Sequence, residues 1–124
     1  MRIGELARRT QVATRLIRYY EQQELLTADR QPNGYREYTE EQVERVHRIS
    51  GLVQAGIPTR LVKVLLEAED AEARQEETCP KAIAEQLAEE LVGLEGRIAC
   101  LTRSRDTIRQ YLLRTQHESL VLQP

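Results

Sequence analysis

The chain has 124 residues, 40% of them hydrophobic and 31% charged, with no Trp or Phe; this is one domain's length, with a core of Leu, Ile, Val and Ala that suits helices better than a thin β-sandwich. No apolar run approaches the roughly 20 residues that span a bilayer, and no apolar block follows the charges of MRIGELARRT, which excludes a signal peptide. The expectation is a cytoplasmic protein with no membrane association, its two cysteines held as reduced thiols.

The net charge of −2 hides an asymmetry. Residues 1–66 carry 11 Lys and Arg against 8 Asp and Glu, whereas residues 67–124 carry 7 against 12. The positive half also holds four of the five tyrosines. A local basic surface matters more to a phosphate backbone than the global charge does.

Taken in chain order, IGELARRT reads as a short helix with Ile3, Leu6 and Ala7 on one face. Thr10-Gln11-Val12 is a tight connection to a second short helix, ATRLIRYYEQQ, whose inward pair is Leu16 and Tyr20 at i and i+4, flanked by Ile17. Two short helices so joined form a helix-turn-helix unit. DRQPNGYREY reads as a hairpin turning at Asn33-Gly34, two residues that tolerate positive φ. Thr39 and Gln42 form a capping box that opens a third helix, with Val43, Val46, Ile49, Leu52 and Val53 facing inward and Gly56 closing it. Pro58-Thr59 starts a fourth helix carrying Leu61, Val62, Leu65 and Leu66. Residues 69–79, acidic and polar, read as a solvated connector.

The remainder predicts one long helix from Pro80 to about Arg114, with Pro80 in its first turn. Its apolar steps alternate between four and three: Leu87, Leu91, Leu94, Ile98, Leu101, then Arg105, Ile108 and Leu112. Gly93 and Gly96 each cost roughly 1 kcal/mol relative to Ala in a helix interior, so a close helix contact is expected to offset them. At about 1.5 Å per residue such a helix is too long to bury its stripe on a small domain. A second copy of the chain is the simplest cover.

The quoted residues IGELA, V-x-x-R-x-IRYYE, LL, R-x-x-x-GYR-x-Y and the Gly-Ile step before the fourth helix resemble the MerR family of bacterial transcription regulators. The similarity is dense over residues 2–66; beyond them it lies in length, heptads and layout. It implies a mainly α fold: a winged helix-turn-helix domain over 1–68, the connector over 69–79, a coiled-coil dimerisation helix over 80–115 and a short tail over 116–124. It departs at Gln11 and Glu24, where the family carries glycine. Ala13 replaces a polar N-cap, a change worth about 1 kcal/mol, and Ala28 replaces a common proline. None of these removes a DNA-facing group.

On that resemblance the second helix enters the major groove of double-stranded promoter DNA. Thr14, Arg15 and Arg18 reach bases or phosphates, since a guanidinium fork matches guanine edges and phosphate oxygens. Tyr19 donates to a phosphate or only bridges to the hairpin. In the wing, Arg36 is best placed, with Tyr35 beside it; Tyr38 contacts a phosphate or anchors the hairpin. Arg30 contacts DNA or pairs with Glu37. Arg60 and Lys63 form a second wing contact or a solvated face, and His47 is surface.

Cys79 sits at the foot of the long helix, where the dipole favours a thiolate. In metal-sensing relatives, a cysteine there works with others after the helix. Here residues 115–124 offer only His117 and Glu118, so Cys79 and His117 are candidate effector-binding residues. No metal site or other cofactor follows, because a soft-metal site needs about two to four N or S ligands. Cys100 reads as a small packing residue. A fully overlapped antiparallel pair sets Cys79 opposite the partner's residues 114–117, which disfavours a disulfide to the second copy's Cys100.

The reading is a homodimeric, sequence-specific regulator, joined through residues 80–114. It distorts promoter DNA in response to an effector, and so acts on RNA polymerase indirectly through DNA shape. An alternative is a thiol-based stress sensor triggered at Cys79. No glycine-rich phosphate loop, nucleophile pair or carboxylate pair suggests an enzyme, and a large C-terminal drug-binding module is not expected.

Overall fold

The computed structural model of the chain describes residues 1–121, without the Arg30 side chain, and divides into two compact units, residues 1–77 and residues from Thr78 onward. The last three residues of the tail expected over 116–124 lie outside the described residues.

The first unit begins with α1 (Ile3–Thr10) and α2 (Thr14–Gln22). Thr10 makes the turn between them. Its buried hydroxyl donates to the Leu6 carbonyl at 2.8 Å and accepts the Val12 N–H at 3.3 Å. Gln11 takes the left-handed conformation that the family fills with glycine, at φ 57°. Ala13 stands at the N-cap of α2 with no side-chain bond, as its chemistry requires.

The inward face of α2 is Ile17 and Tyr20, both buried; Leu16 is 40% exposed, which corrects the expected Leu16–Tyr20 stripe. At 100° per residue, Ile17 and Tyr20 lie 60° apart and share one narrow face; Leu16 falls on its shoulder beside Tyr19. The helix ends in a Schellman motif. Glu24 sits at φ 61°, the Leu25 N–H reaches the Tyr20 carbonyl at 2.9 Å, and the Leu25 and Leu26 side chains turn into the core.

The hairpin is β1 (Asp29–Arg30) against β2 (Arg36–Glu37), antiparallel, with Asp29 opposite Glu37 and Arg30 opposite Arg36. Its turn is closed by the Gly34 N–H on the Gln31 carbonyl at 2.8 Å, so Pro32 and Asn33 are the central pair. Only Gly34 takes positive φ, at 87°, which shifts the expected Asn33-Gly34 turn by one residue. Asn33 contributes differently, its Oδ1 accepting the Tyr35 N–H at 3.1 Å.

In α3 (Glu40–Gln54), the Gln42 amide oxygen accepts the Thr39 N–H at 2.6 Å, the amide half of the expected capping box. Val43, Val46, Ile49 and Leu52 are buried, whereas Val53 is 41% exposed and drops out of the expected set. Gly56, at φ 86°, closes the helix.

α4 (Thr59–Ala73) runs five residues into the expected connector. Arg45 holds both Asp70 oxygens, at 3.1 and 3.2 Å, and Arg48 holds Glu69. These pairs tie the end of α4 to α3 and keep an acidic stretch helical. The Leu6, Ile17, Val46, Ile49, Val62 and Leu66 side chains are fully buried, each worth about 1.5–3 kcal/mol of apolar burial. They join α1, α2, α3 and α4 into one core.

The second unit is α5 (Lys81–Arg114), 34 residues and about 50 Å long, followed by a short α6 (Glu118–Val121) packed on its end. No α5 residue is buried. Leu91, Ile98, Leu101 and Ile108 of the heptad stripe are 55–66% exposed. A Cβ placed on Gly93 or Gly96 meets nothing within 4 Å, so the chain itself supplies no close contact to offset these glycines. At 100° per residue they also project away from the heptad stripe.

Candidate nucleic-acid interface

The outward face of α2 carries Arg15, Arg18 and Tyr19, all exposed, with Thr14 half-buried at the first position of the helix. The residues follow from the helix period: Ile17 and Tyr20 anchor one side, and the opposite side is left to guanidiniums and a phenol. Tyr19 and Tyr20, adjacent in sequence, part company. Tyr19 is 39% exposed and Tyr20 3%. Burial raises the Tyr20 pKa above its ordinary value.

The wing is bolted to α2 through Glu21. One Glu21 oxygen accepts the Tyr38 hydroxyl, and the other pairs with Arg36 Nη1 at 2.9 Å. Glu21 lies well inside this cluster, with a side chain 13% exposed. Tyr38 is 2% exposed, which removes it from the expected DNA contacts: its ring fills the core and its hydroxyl is committed to Glu21. Burial, and then the Glu21 carboxylate, push its pKa up to about 12. Reciprocal backbone bonds of 2.7 Å between Met1 and Tyr38 fix the same corner.

Arg36 is therefore half-buried and ion-paired, with part of its guanidinium still open. Tyr35, 54% exposed, stands beside the Arg2 guanidinium, which lies 4.1 Å from its ring centroid. The Arg30 side chain lies outside the described residues. Glu37 accepts from the Met1 amino group at 3.0 Å.

Lys63 is paired with Glu24 at 2.9 Å, joining α4 to the end of α2. The pair raises the Lys63 pKa and lowers that of Glu24. His47 is exposed on α3. Arg9 and Glu40 form a two-bond ion pair of 2.5 and 2.6 Å between α1 and α3.

An open groove of about 750 Å³ runs between the start of α1, α2 and the wing, with Arg2, Arg18, Glu21, Tyr35 and Arg36 on its walls. Glu21 and Arg2 were not among the residues singled out from sequence. A signal for Glu21 existed: a carboxylate four residues after the buried Ile17 shares that helix face and needs a donor partner nearby.

In the second unit, Cys79 and Cys100 are free and exposed, with Cys79 Sγ 3.6 Å from the Pro80 carbonyl. His117 is exposed just before α6. Among the described residues no group of three or more His, Cys, Asp or Glu is placed to hold a metal ion. No helix of the described residues is long and apolar enough to cross a membrane.

These features can be set beside known proteins. Residues 1–69 match the model of the MerR HTH family of regulatory proteins. The transcriptional regulator ZntR of Escherichia coli K12 is 30% identical over 123 residues, which is 96% of this chain and 85% of that protein. The nodulation protein NolA of Bradyrhizobium elkanii is 32% identical over 109 residues, or 87% of this chain; the chain spans only 45% of NolA's length.

Two solved structures share the fold at a TM-score of 0.55. The transcription regulator PbrR691 from Ralstonia metallidurans CH34, in complex with lead(II), is 24% identical and matches 89% of this chain and 86% of its own. HiNmlR, a MerR family regulator lacking the sensor domain and bound to promoter DNA, is 16% identical, with coverage of 100% and 96%. The sequence motifs, the helix-turn-helix with its wing, the long exposed helix and these matches agree: the chain belongs to the MerR family of helix-turn-helix transcription regulators, which are DNA-binding proteins rather than enzymes.

Proposed function

We propose that the chain works as a homodimer that binds promoter DNA sequence-specifically through α2 and the wing and changes promoter geometry when an effector binds. The observation that carries this reading is the pairing of two uncovered surfaces. One is the cationic outward face of α2; the other is the heptad stripe of α5, none of whose residues is buried. Pairing two α5 helices antiparallel buries the stripe and gives one assembly two copies of α2. HiNmlR, of the same fold, is described on promoter DNA, which supports the assignment. Arg18 reads a base edge, while Arg15, Tyr19 and Arg36 hold phosphates. Lys63 and Arg30 contribute to position only. Distortion of the DNA between the two half-sites then acts on RNA polymerase with no contact from this chain.

The test is Arg18→Ala in a gel shift against a duplex selected by the wild-type chain from a random pool. Affinity for the selected duplex falls, with a loss of about 1–3 kcal/mol in preference at one base position if the contact is a guanine fork. Unchanged affinity sinks the assigned face.

A second reading concerns what triggers the change. Cys79 is exposed at the foot of α5, where a thiol is open to modification. His117 offers one further nitrogen ligand at the far end of the same helix. Cys79→Ser in a reporter strain challenged with oxidants, aldehydes and metals should lose induction; a response equal to wild type under every working inducer removes the thiol from the mechanism.

A further inference from the structure

We propose that Arg2 is a DNA-backbone contact: the groove between residue 2, α2 and the wing seats a phosphate of the bound duplex against the Arg2 guanidinium. The proposal rests on the DNA-binding reading above and adds to it a residue outside both α2 and the wing.

Charge pairing in the first unit is the starting point. Arg8, Arg9, Arg45, Arg48 and Lys63 each sit on a carboxylate: Glu5, Glu40, Asp70, Glu69 and Glu24 respectively. Among the described residues, Arg2, Arg15 and Arg18 have no carboxylate partner. Arg15 and Arg18 share the outward face of α2, and Arg2 and Arg18 line one groove. The single carboxylate in that groove, Glu21, is already committed to Arg36 and Tyr38. The groove thus holds three guanidiniums against one carboxylate, and its excess positive charge faces outward. A duplex backbone, one negative charge per about 1.7 Å of axis, is the complementary surface.

The way Arg2 is held fits this role. Its Cζ lies 4.1 Å from the Tyr35 ring centroid, a cation–π distance. Such a contact orients the guanidinium without engaging its N–H donors in hydrogen bonds, so they remain for phosphate oxygens. Tyr35 is the exposed aromatic of the wing, 54% accessible, so Arg2 is fixed at the place where the wing meets the groove. Gly4 forms part of the groove wall, and a Cβ there meets nothing within 4 Å, which leaves the approach open.

The test compares Arg2→Gln and Arg2→Lys in the full chain by fluorescence anisotropy, on the selected duplex and on a scrambled one, over a series of KCl concentrations. A phosphate contact predicts weaker binding of Arg2→Gln to both duplexes alike. It also predicts a decrease of about 0.9 in the steepness of log affinity against log salt. Arg2→Lys, which keeps a point charge, should hold the wild-type steepness. If Arg2 only braces Tyr35, both variants weaken binding and neither changes the steepness; that outcome overturns the proposal while leaving DNA binding intact. Wild-type affinity and steepness retained by Arg2→Gln also overturn it. A wild-type chain that selects no duplex from the pool overturns the proposal together with the DNA-binding reading.

Discussion

Among the described residues, four other than glycine sit in the left-handed region, each just past a helix end: Gln11 (φ 57°), Glu24 (61°), Gln75 (57°) and Gln116 (65°). For an L-residue that conformation costs about 1–2 kcal/mol, which glycine escapes. Two of the four were visible in the sequence, because Gln11 and Glu24 interrupt glycine positions of the family pattern. Gln75 and Gln116 were not, since a polar residue at a helix end leaves no mark when the helix boundary itself is unknown. Gln11→Gly should raise the stability of the first unit by about 0.5–1 kcal/mol, the relief of strain offset by glycine's larger unfolded entropy. A urea midpoint that moves upward with an unchanged slope checks this; no movement would mean that the turn carries no strain. The same scale explains Leu16 and Tyr38. Leu16 read as core because its i,i+4 spacing to Tyr20 was given the inward face and Ile17 only its flank, whereas Ile17 and Tyr20 make the buried face. Tyr38 read as a possible phosphate contact because the partner that captures its hydroxyl, Glu21, is 17 residues away.

Elements were legible in proportion to how local their causes are. The long helix was expected from Pro80 to Arg114 and runs from Lys81 to Arg114, since heptads and a flanking proline are local signals. The end of α4 was not legible, because Arg45–Asp70 and Arg48–Glu69 act between elements and extend the helix through an acidic stretch. The wing was found, but its turn is one residue off, with Pro32 taking a central position. What holds the wing to α2 is the Tyr38–Glu21–Arg36 cluster, and it makes a pH-dependent prediction. The folded pKa of Tyr38, about 12, lies above the ordinary tyrosine value of 10.0. Its contribution is therefore complete below pH about 10 and is lost as pH rises toward about 12. Tyr38→Phe should cost about 1–2 kcal/mol near neutral pH, from the lost bond to Glu21. The difference from wild type should then close across that alkaline window. Urea unfolding at stepped pH measures it. A gap that stays constant to the alkaline end would show that the Tyr38 hydroxyl does not set the wing's stability.

At the scale of the whole molecule, the α5 stripe stays uncovered among the described residues, with Leu101 66% and Ile98 61% exposed. Heptad spacing announced it, and the structure shows that neither α6 nor any other described residue buries it. The sequence also announced a close contact at Gly93 and Gly96, and within one chain there is none. The proposed antiparallel pair of α5 helices converts the exposed leucines into an interface and joins two DNA-binding units in one assembly. The most direct measurement is the native mass of the protein, alone and on a duplex selected from a random pool, for wild type and for Leu94→Asp combined with Leu101→Asp. The account predicts a wild-type dimer in solution, two copies on one duplex whose selected sequence is an inverted repeat, and monomers for the double variant. A wild-type chain that runs and binds as a single copy, or a double variant that remains a dimer, would contradict it.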